Sequence, residues 1–228
     1  MNVEIWSDIA CPWCYVGKRR FEAALEQFEH RDQVTVTWRS FELDPTAPVE
    51  RPQGGAEHLA EKYGTSVEQA REMEERMTAT AAGDGLEFRF DKLRLGNTFD
   101  GHRIVHLAAA HGLQDAMEER LMRAYLTEGE LIADHDTLQR LAVEVGLPED
   151  EVREVLMTER FAEEVREDER TAASLGVRGV PFFVVDRKIA ASGAQPPELL
   201  VEMLEQALPP QPTIPVVADG AACGPDGC

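Results

Sequence analysis

The sequence predicts an α/β fold in which a β-α-β unit at the start and a β-β-α unit at the end are separated by a large all-helical insertion. Three features carry that prediction. Short runs near both ends alternate apolar and polar residues, the middle repeats apolar residues every three or four positions, and a proline-bearing polar stretch marks the change of pattern. At 228 residues the chain is long enough to bury a core without disulfide staples.

The elements follow in order. Asn2–Ser7 sets Val3 and Ile5 against Glu4, adds Trp6, and reads as a strand. From Pro12 the pattern is helical to about Glu29, with Phe21, Ala24, Leu25 and Phe28 on one face; Pro12 suits the first helical position, where an N–H would have no partner. Residues 34–41 alternate again, Val34, Val36 and Trp38 against Thr35 and Thr37, and form the second strand. This first part covers residues 1–43. A loop with Pro45, Pro48, Pro52 and a glycine pair leads into the helical insertion, residues 44–176. Ser66-Val67-Glu68-Gln69 fits a capping box opening a helix to about Ala82. Further helices are expected at 102–110, stopped by Gly112, at 116–126, and at 136–145, ended by Gly146. Pro148 and the acids after it open another, and a long helix then runs to about Leu175 before Gly176. Residues 177–208 close the fold with an apolar strand at 180–186, a turn at Arg187-Lys188, a second strand at 189–191 and an amphipathic helix at 198–207. Residues 209–228, rich in proline and glycine, read as a tail. Without the insertion this order is the thioredoxin arrangement.

Composition narrows the function. The net charge is −20, from 43 acids against 23 bases, and no basic cluster is dense enough to neutralise a phosphate backbone, so nucleic acid is not an expected partner. No apolar run approaches the roughly 20 residues of a membrane span. Residues 1–10 carry Glu4 and Asp8, precede any base and lack the long apolar stretch of a secretory signal, which points to the cytoplasm.

The four cysteines form two close pairs, Cys11/Cys14 and Cys223/Cys228. Local pairs in an intracellular chain suit redox or metal chemistry better than structural stapling. Cys11 and Cys14 lie three apart at the start of a helix, so their sulfurs share one face and can bond. Unpaired N–H groups and the positive end of the helix dipole favour the thiolate at Cys11, the attacking species. Cys14, one turn further in, is placed to resolve the mixed disulfide formed there. Half a zinc knuckle is the alternative, but the strand–helix junction and the lack of a second Cys-x-x-Cys or nearby histidine pair count against it. Val180-Pro181 opens an apolar strand with a residue that lacks an N–H, which suits an edge or a special turn.

These segments together resemble the DsbA family, and most closely its FrnE-like branch of cytoplasmic oxidoreductases. The resemblance is carried by Ser7-Asp8-Ile9-Ala10-Cys11-Pro12-Trp13-Cys14-Tyr15-Val16-Gly17, Asn97-Thr98-Phe99-Asp100-Gly101-His102-Arg103, Gly179-Val180-Pro181-Phe182-Phe183 and Ser192-Gly193-Ala194-Gln195. It implies a thioredoxin fold with a helical insertion, a cis-proline at Pro181 facing the cysteines, and backbone hydrogen bonds from Val180 to a substrate strand. Pro12, Trp13, Asn97, Thr98 and Arg103 would contact substrate. One departure stands out. Many thioredoxin-fold enzymes carry a buried acid six residues before the nucleophile, where this chain has Ile5, so the proton acceptor for Cys14 is not assigned by spacing; Glu4 and Asp8 are near but unassigned.

Cys223-Gly224-Pro225-Asp226-Gly227-Cys228 ends the chain, and its turn-forming residues can bring the two thiols together. Some FrnE-like members carry such a pair, which implies a second redox centre relaying disulfides to Cys11/Cys14; an accidental exposed pair and a four-cysteine zinc site are the alternatives. His102 and His106 sit at i and i+4, a zinc spacing, but without a third ligand they read as surface or cleft residues. Residues 68–75 read as a solvated acidic helix face. The expectation is therefore a cytoplasmic protein disulfide oxidoreductase or isomerase with no cofactor and no metal. Its partners are client proteins bearing disulfides or thiols and a thiol reductant or oxidant system. Glutathione-dependent isomerases or transferases of the kappa and 2-hydroxychromene-2-carboxylate isomerase type are the rivals, with a redox-regulated holdase as a non-enzymatic alternative.

Overall fold

The computed structural model describes residues 1–209. Four strands, β1 (Asn2–Ser7), β2 (Thr35–Ser40), β3 (Phe182–Val185) and β4 (Ile189–Ser192), form one sheet in the order β2-β1-β3-β4. β1 pairs parallel with β2 through the crossover helix α1 (Pro12–Gln27) and antiparallel with β3, which forms a hairpin with β4. The hairpin turn places Asp186 and Arg187 both at positive φ, the backbone twist that matches two antiparallel strands.

β1 lies at the centre, and both of its faces are covered. Val3 and Ile5 join the main core under α1 and the last helix, α9 (Pro197–Ala207). Glu4 and Trp6 point the other way, toward α8 (Ala162–Ser174), where the Trp6 indole N–H donates to the Asp168 carbonyl at 2.9 Å. Glu4 is buried on that face and bound by Arg39 at 2.7 Å and Arg187 at 2.8 Å. The Arg187 hydrogen bond, with Arg39 beside it, outweighs burial and holds the Glu4 carboxyl below its usual range. A carboxylate so paired, on the far side of the sheet from α1, is no base for Cys14.

Between β2 and β3 the chain forms α2 (Gly55–Tyr63), α3 (Val67–Gly83), α4 (Phe99–Ala110), α5 (Gln114–Arg123) with a π-helical turn (Ala124–Glu128), α6 (His135–Val145) and α7 (Glu149–Met157) before α8. The capping box at Ser66 and Gln69 opens α3, and Gly146 in the left-handed region closes α6. Two elements differ from the sequence reading. α2 begins at Gly55, inside what reads as loop. The long helix to Leu175 is two helices, broken at Phe161 with φ 66°. Ile9, just past β1, packs in one continuous core with Ile104, Leu107, Met117 and Leu121 of the helical block. That shared core fixes the block over the start of α1.

Candidate active site

Cys11 is the N-cap of α1, with extended backbone, and Pro12 follows at the first helical position. The preceding loop is a tight turn: the Cys11 N–H donates to the Asp8 carbonyl at 3.0 Å and the Ala10 N–H to the Asp8 carboxylate at 3.2 Å. The Cys14 N–H then donates to the Cys11 carbonyl at 3.0 Å, so the two residues stand one turn apart on the same face. Both thiols are free. Cys11 retains 5% exposure and Cys14 none. Burial, and next the neighbouring Cys11, push the Cys14 thiol well above its usual range.

The Val180–Pro181 peptide is cis. Its loop lies against α1, with the Cys11 thiol 3.7 Å from the Val180 carbonyl oxygen. The approach is close enough to require a glycine on the helix. A Cβ at Gly17 would lie 2.8 Å from Pro181 Cγ and 3.4 Å from its Cβ. Gly17→Ala is therefore expected to drive α1 and the Val180–Pro181 loop apart, lowering stability by about 1–3 kcal/mol and slowing turnover at Cys11. Thermal unfolding and a disulfide-exchange assay check this; no change in either would mean that the proline ring yields without cost.

A groove of about 590 Å³ opens beside Cys11, Pro12 and Trp13 and runs under α2 and α3. Leu59, Tyr63, Met73 and Met77 line one wall and Leu93 and Leu95 another, while Arg51, His58, Lys62 and Arg76 supply basic groups. Burial, then the charges of Arg51 and Lys62, hold His58 below the usual histidine value. Trp13 stands 46% exposed at the groove's mouth. The groove is thus apolar in its walls, and its charged lining is mixed, with Arg51, Lys62 and Arg76 set against Asp8, Asp44 and Glu74 and Arg51 paired with Asp44.

A cysteine pair beside a cis-proline on this sheet has known relatives. The family model described as DSBA-like thioredoxin domain matches residues 2–205. The chain belongs to the DSBA-like thioredoxin family. A probable DsbA oxidoreductase from Streptomyces coelicolor, SCO1869, is 49% identical, with a TM-score of 0.88 over 100% of this chain and 98% of that one. An uncharacterized Bacillus subtilis (strain 168) protein, YwbO, is 26% identical over 206 residues, covering 85% of this chain and 91% of that protein. The cytosolic disulfide reductase DsbM from Pseudomonas aeruginosa, determined with GSH, shares the fold at 22% identity, with a TM-score of 0.65 over 90% of this chain and 98% of that one. The chain is accordingly a DsbA-like disulfide oxidoreductase in family and fold, and among the described residues no helix is long and apolar enough to cross a membrane.

In this DSBA-like chain the other candidate residues divide. Cys11, Pro12, Trp13 and Thr98 come together on the groove. Asn97 instead ties the loop to α4, its side-chain oxygen accepting the Phe99 N–H at 2.7 Å. Arg103 is buried and turned away, donating to Arg160 O at 3.0 Å, to Asp100 at 2.7 Å, and to the carbonyls of Val155 and Thr158. It does not reach the groove, because its guanidinium is consumed at the junction of α7 and α8. His102 and His106 are not surface residues. His102 is 2% exposed with Nε2 3.5 Å from Asp8, while His106 faces Asp168 at 3.1 Å and Ser40 at 3.1 Å. The acidic face of α3 is mostly solvated as expected, with Glu74 half-buried. Cys223 and Cys228 lie outside the described residues.

Sequence reasoning missed the polar layer beneath Cys14. Ser7, Asp8, His102 and Glu118 are each at most 2% exposed. Burial lifts the Glu118 carboxyl above its usual range, with His102, Ser7 and Lys18 pulling it back. Burial works against a charged His102, yet Asp8, Glu118 and Glu42 outweigh it and raise that imidazole. The available signal was Glu118 itself, a carboxylate one turn before Met122 on the inner side of α5.

Proposed function

We propose that the chain exchanges disulfides with client proteins through Cys11 and Cys14, acting as an oxidoreductase with isomerase capacity. The observation that supports it best is the exposure contrast at the start of α1. The outer sulfur reaches the groove beside the Val180 carbonyl, and the inner one is sealed beneath it. The Cys11 thiolate attacks a client disulfide, one client sulfur leaves as thiolate, and a Cys11–client mixed disulfide remains. Cys14 then attacks Cys11, releasing the second client thiolate and leaving the Cys11–Cys14 disulfide. A thiol reductant restores the dithiol; run in reverse, the oxidised pair delivers a disulfide. Val180 and Pro181 offer backbone to the client strand, and Trp13, Pro12 and Thr98 flank it. The apolar groove suits an extended segment.

We place this reaction in the cytoplasm, where DsbM of the same fold is described as acting. Cys223 and Cys228 are proposed to pass disulfides between Cys11/Cys14 and the thiol system. The rival, glutathione transfer or isomerisation of the kappa type, typically uses serine at the Cys11 position, and retention of both cysteines favours dithiol chemistry. Reduction of insulin disulfides by the full chain, with glutathione or dithiothreitol as donor, is the test. Turnover should exceed the uncatalysed rate and fall to it in Cys11→Ser. Glutathione conjugation of an aromatic electrophile without insulin turnover would overturn the reading in favour of the rival.

A further inference from the structure

The turn that continues α5, Ala124–Glu128, is π-helical, and a wide turn of this kind within a longer helix frequently sits at a functional site. It is not a frayed end. The Leu126 carbonyl accepts the Arg89 N–H at 2.8 Å, the Thr127 hydroxyl donates to the Glu87 carbonyl at 2.6 Å, and the Glu130 N–H donates back to the Ala124 carbonyl at 2.9 Å. Three consecutive residues, Ala124, Tyr125 and Leu126, are buried, and the last two both line the groove beside Cys11.

Tyr125 is the polar member of that pair. It keeps 4% exposure, and its hydroxyl has no hydrogen-bond partner among the described residues. A buried tyrosine ordinarily finds one; the Tyr15 hydroxyl, for comparison, donates to Glu119 at 2.5 Å. The unpaired Ser7 hydroxyl is sealed inside the protein, whereas that of Tyr125 retains surface, and the space Tyr125 borders is the groove. Burial, and then the charge of Asp8, hold the Tyr125 phenol above its usual range, so it stays protonated and able to donate.

Several of its neighbours on the groove are already engaged. Asp8 accepts the Leu43 N–H at 2.8 Å and the Ala10 N–H at 3.2 Å, Arg51 pairs with Asp44, and Arg76 lies 3.7 Å from Glu72. The apolar side chains of Leu59, Met73, Met77 and Leu95 have no hydrogen to donate. A polypeptide lying between such walls loses water from its main-chain carbonyls, and each of them then needs a donor.

We infer that Tyr125 is a client-binding residue, its hydroxyl donating to a main-chain carbonyl of the client segment that enters the groove next to the attacked sulfur. On the dithiol reading above, on which this assignment rests, Cys11 tethers its client at the groove. The residues flanking the client cysteine are therefore the ones that reach Tyr125. A hydroxyl that engages backbone discriminates by the presence of an amide and not by side chain. The neighbouring methionines, flexible and polarisable, yield to side chains of different shape. The site thus favours an extended peptide disulfide over a small disulfide that has no amide groups.

Tyr125→Phe removes the hydroxyl and little else. Two substrates with the same coloured aromatic leaving thiol separate its role. One is a short peptide whose central cysteine is joined to that thiol, and the other is the symmetrical aromatic disulfide, which contains no amide. Colour release from the reduced full chain is followed by stopped flow against substrate concentration, with Cys223 and Cys228 replaced by serine so that only Cys11 and Cys14 react. Tyr125→Phe is expected to raise the half-saturating peptide concentration about 5-fold, the scale of one neutral hydrogen bond. The limiting rate at saturating peptide, the rate with the aromatic disulfide and the thermal midpoint should stay at wild-type values, as for a contact equally strong before and during reaction. An unchanged half-saturating concentration overturns the assignment. So does an equal loss on both substrates, or a lower thermal midpoint with unchanged peptide binding, because each makes the hydroxyl structural. If the wild type releases no colour from either substrate, the dithiol reading fails and the assignment falls with it.

Discussion

Cys14→Ser is expected to accumulate a stable covalent adduct with a disulfide-bearing protein, and Cys11→Ser to accumulate none. The reason lies in the unequal burial of the two sulfurs. Only Cys11 lies at the groove, so only it can meet a client sulfur. Once the mixed disulfide forms, its release depends on a second thiolate one helical turn below. A serine hydroxyl there is too weak an acid and too poor a nucleophile toward sulfur to substitute. In Cys11→Ser the remaining thiol is fully covered and its proton is held tightly by burial. Turnover should fall by on the order of 10³-fold or more, the scale on which enzymes suffer when a nucleophile is removed. Non-reducing electrophoresis and intact-mass measurement after mixing each variant with scrambled ribonuclease read the adduct directly. Equal trapping by both variants would show that the sulfurs are interchangeable and the assigned order wrong.

What could be read ahead of the structure followed from how local each signal is. The strand–Cys-x-x-Cys–helix unit is contiguous, so period and capping chemistry reveal it without tertiary information. The same holds for Ser66 and Gln69, whose reciprocal capping bonds span three residues. The break between α7 and α8 was invisible because Thr158-Glu159-Arg160-Phe161 contains neither glycine nor proline. Phe161 adopts φ 66° although it bears a side chain, and its ring is held between Arg160 and the stacked His106 imidazole. Tertiary packing there overrides backbone preference. The polar layer under Cys14 was illegible for a related reason. Ser7, His102 and Glu118 come from β1, α4 and α5, and nothing in the linear order announces that three separate elements bury their polar groups together.

Arg103 shows how a motif can be located correctly and its chemistry misassigned. The segment around residue 98 does border the groove, since Thr98 lines it. One helical turn later Arg103 faces the opposite direction, where α7 ends. A helix terminus leaves its last carbonyls without partners, and the Arg103 fork takes the carbonyls of Val155, Thr158 and Arg160 while Asp100 neutralises its charge. Arg103→Ala would remove the donor and leave three carbonyls and a carboxylate facing the gap, at 4% exposure of the site. Truncating one partner of a buried charged network costs about 3–5 kcal/mol. Arg103→Lys should recover little of that, because a single ammonium does not reproduce the planar fork. The expected outcome is a large fall in the unfolding midpoint in denaturant. Below the unfolding transition, the folded fraction should reduce insulin with an unchanged KM. A substrate-binding arginine would behave in the opposite way, raising KM while leaving the unfolding midpoint near that of the wild type, so the two measurements together separate a strut between helices from a contact with the client.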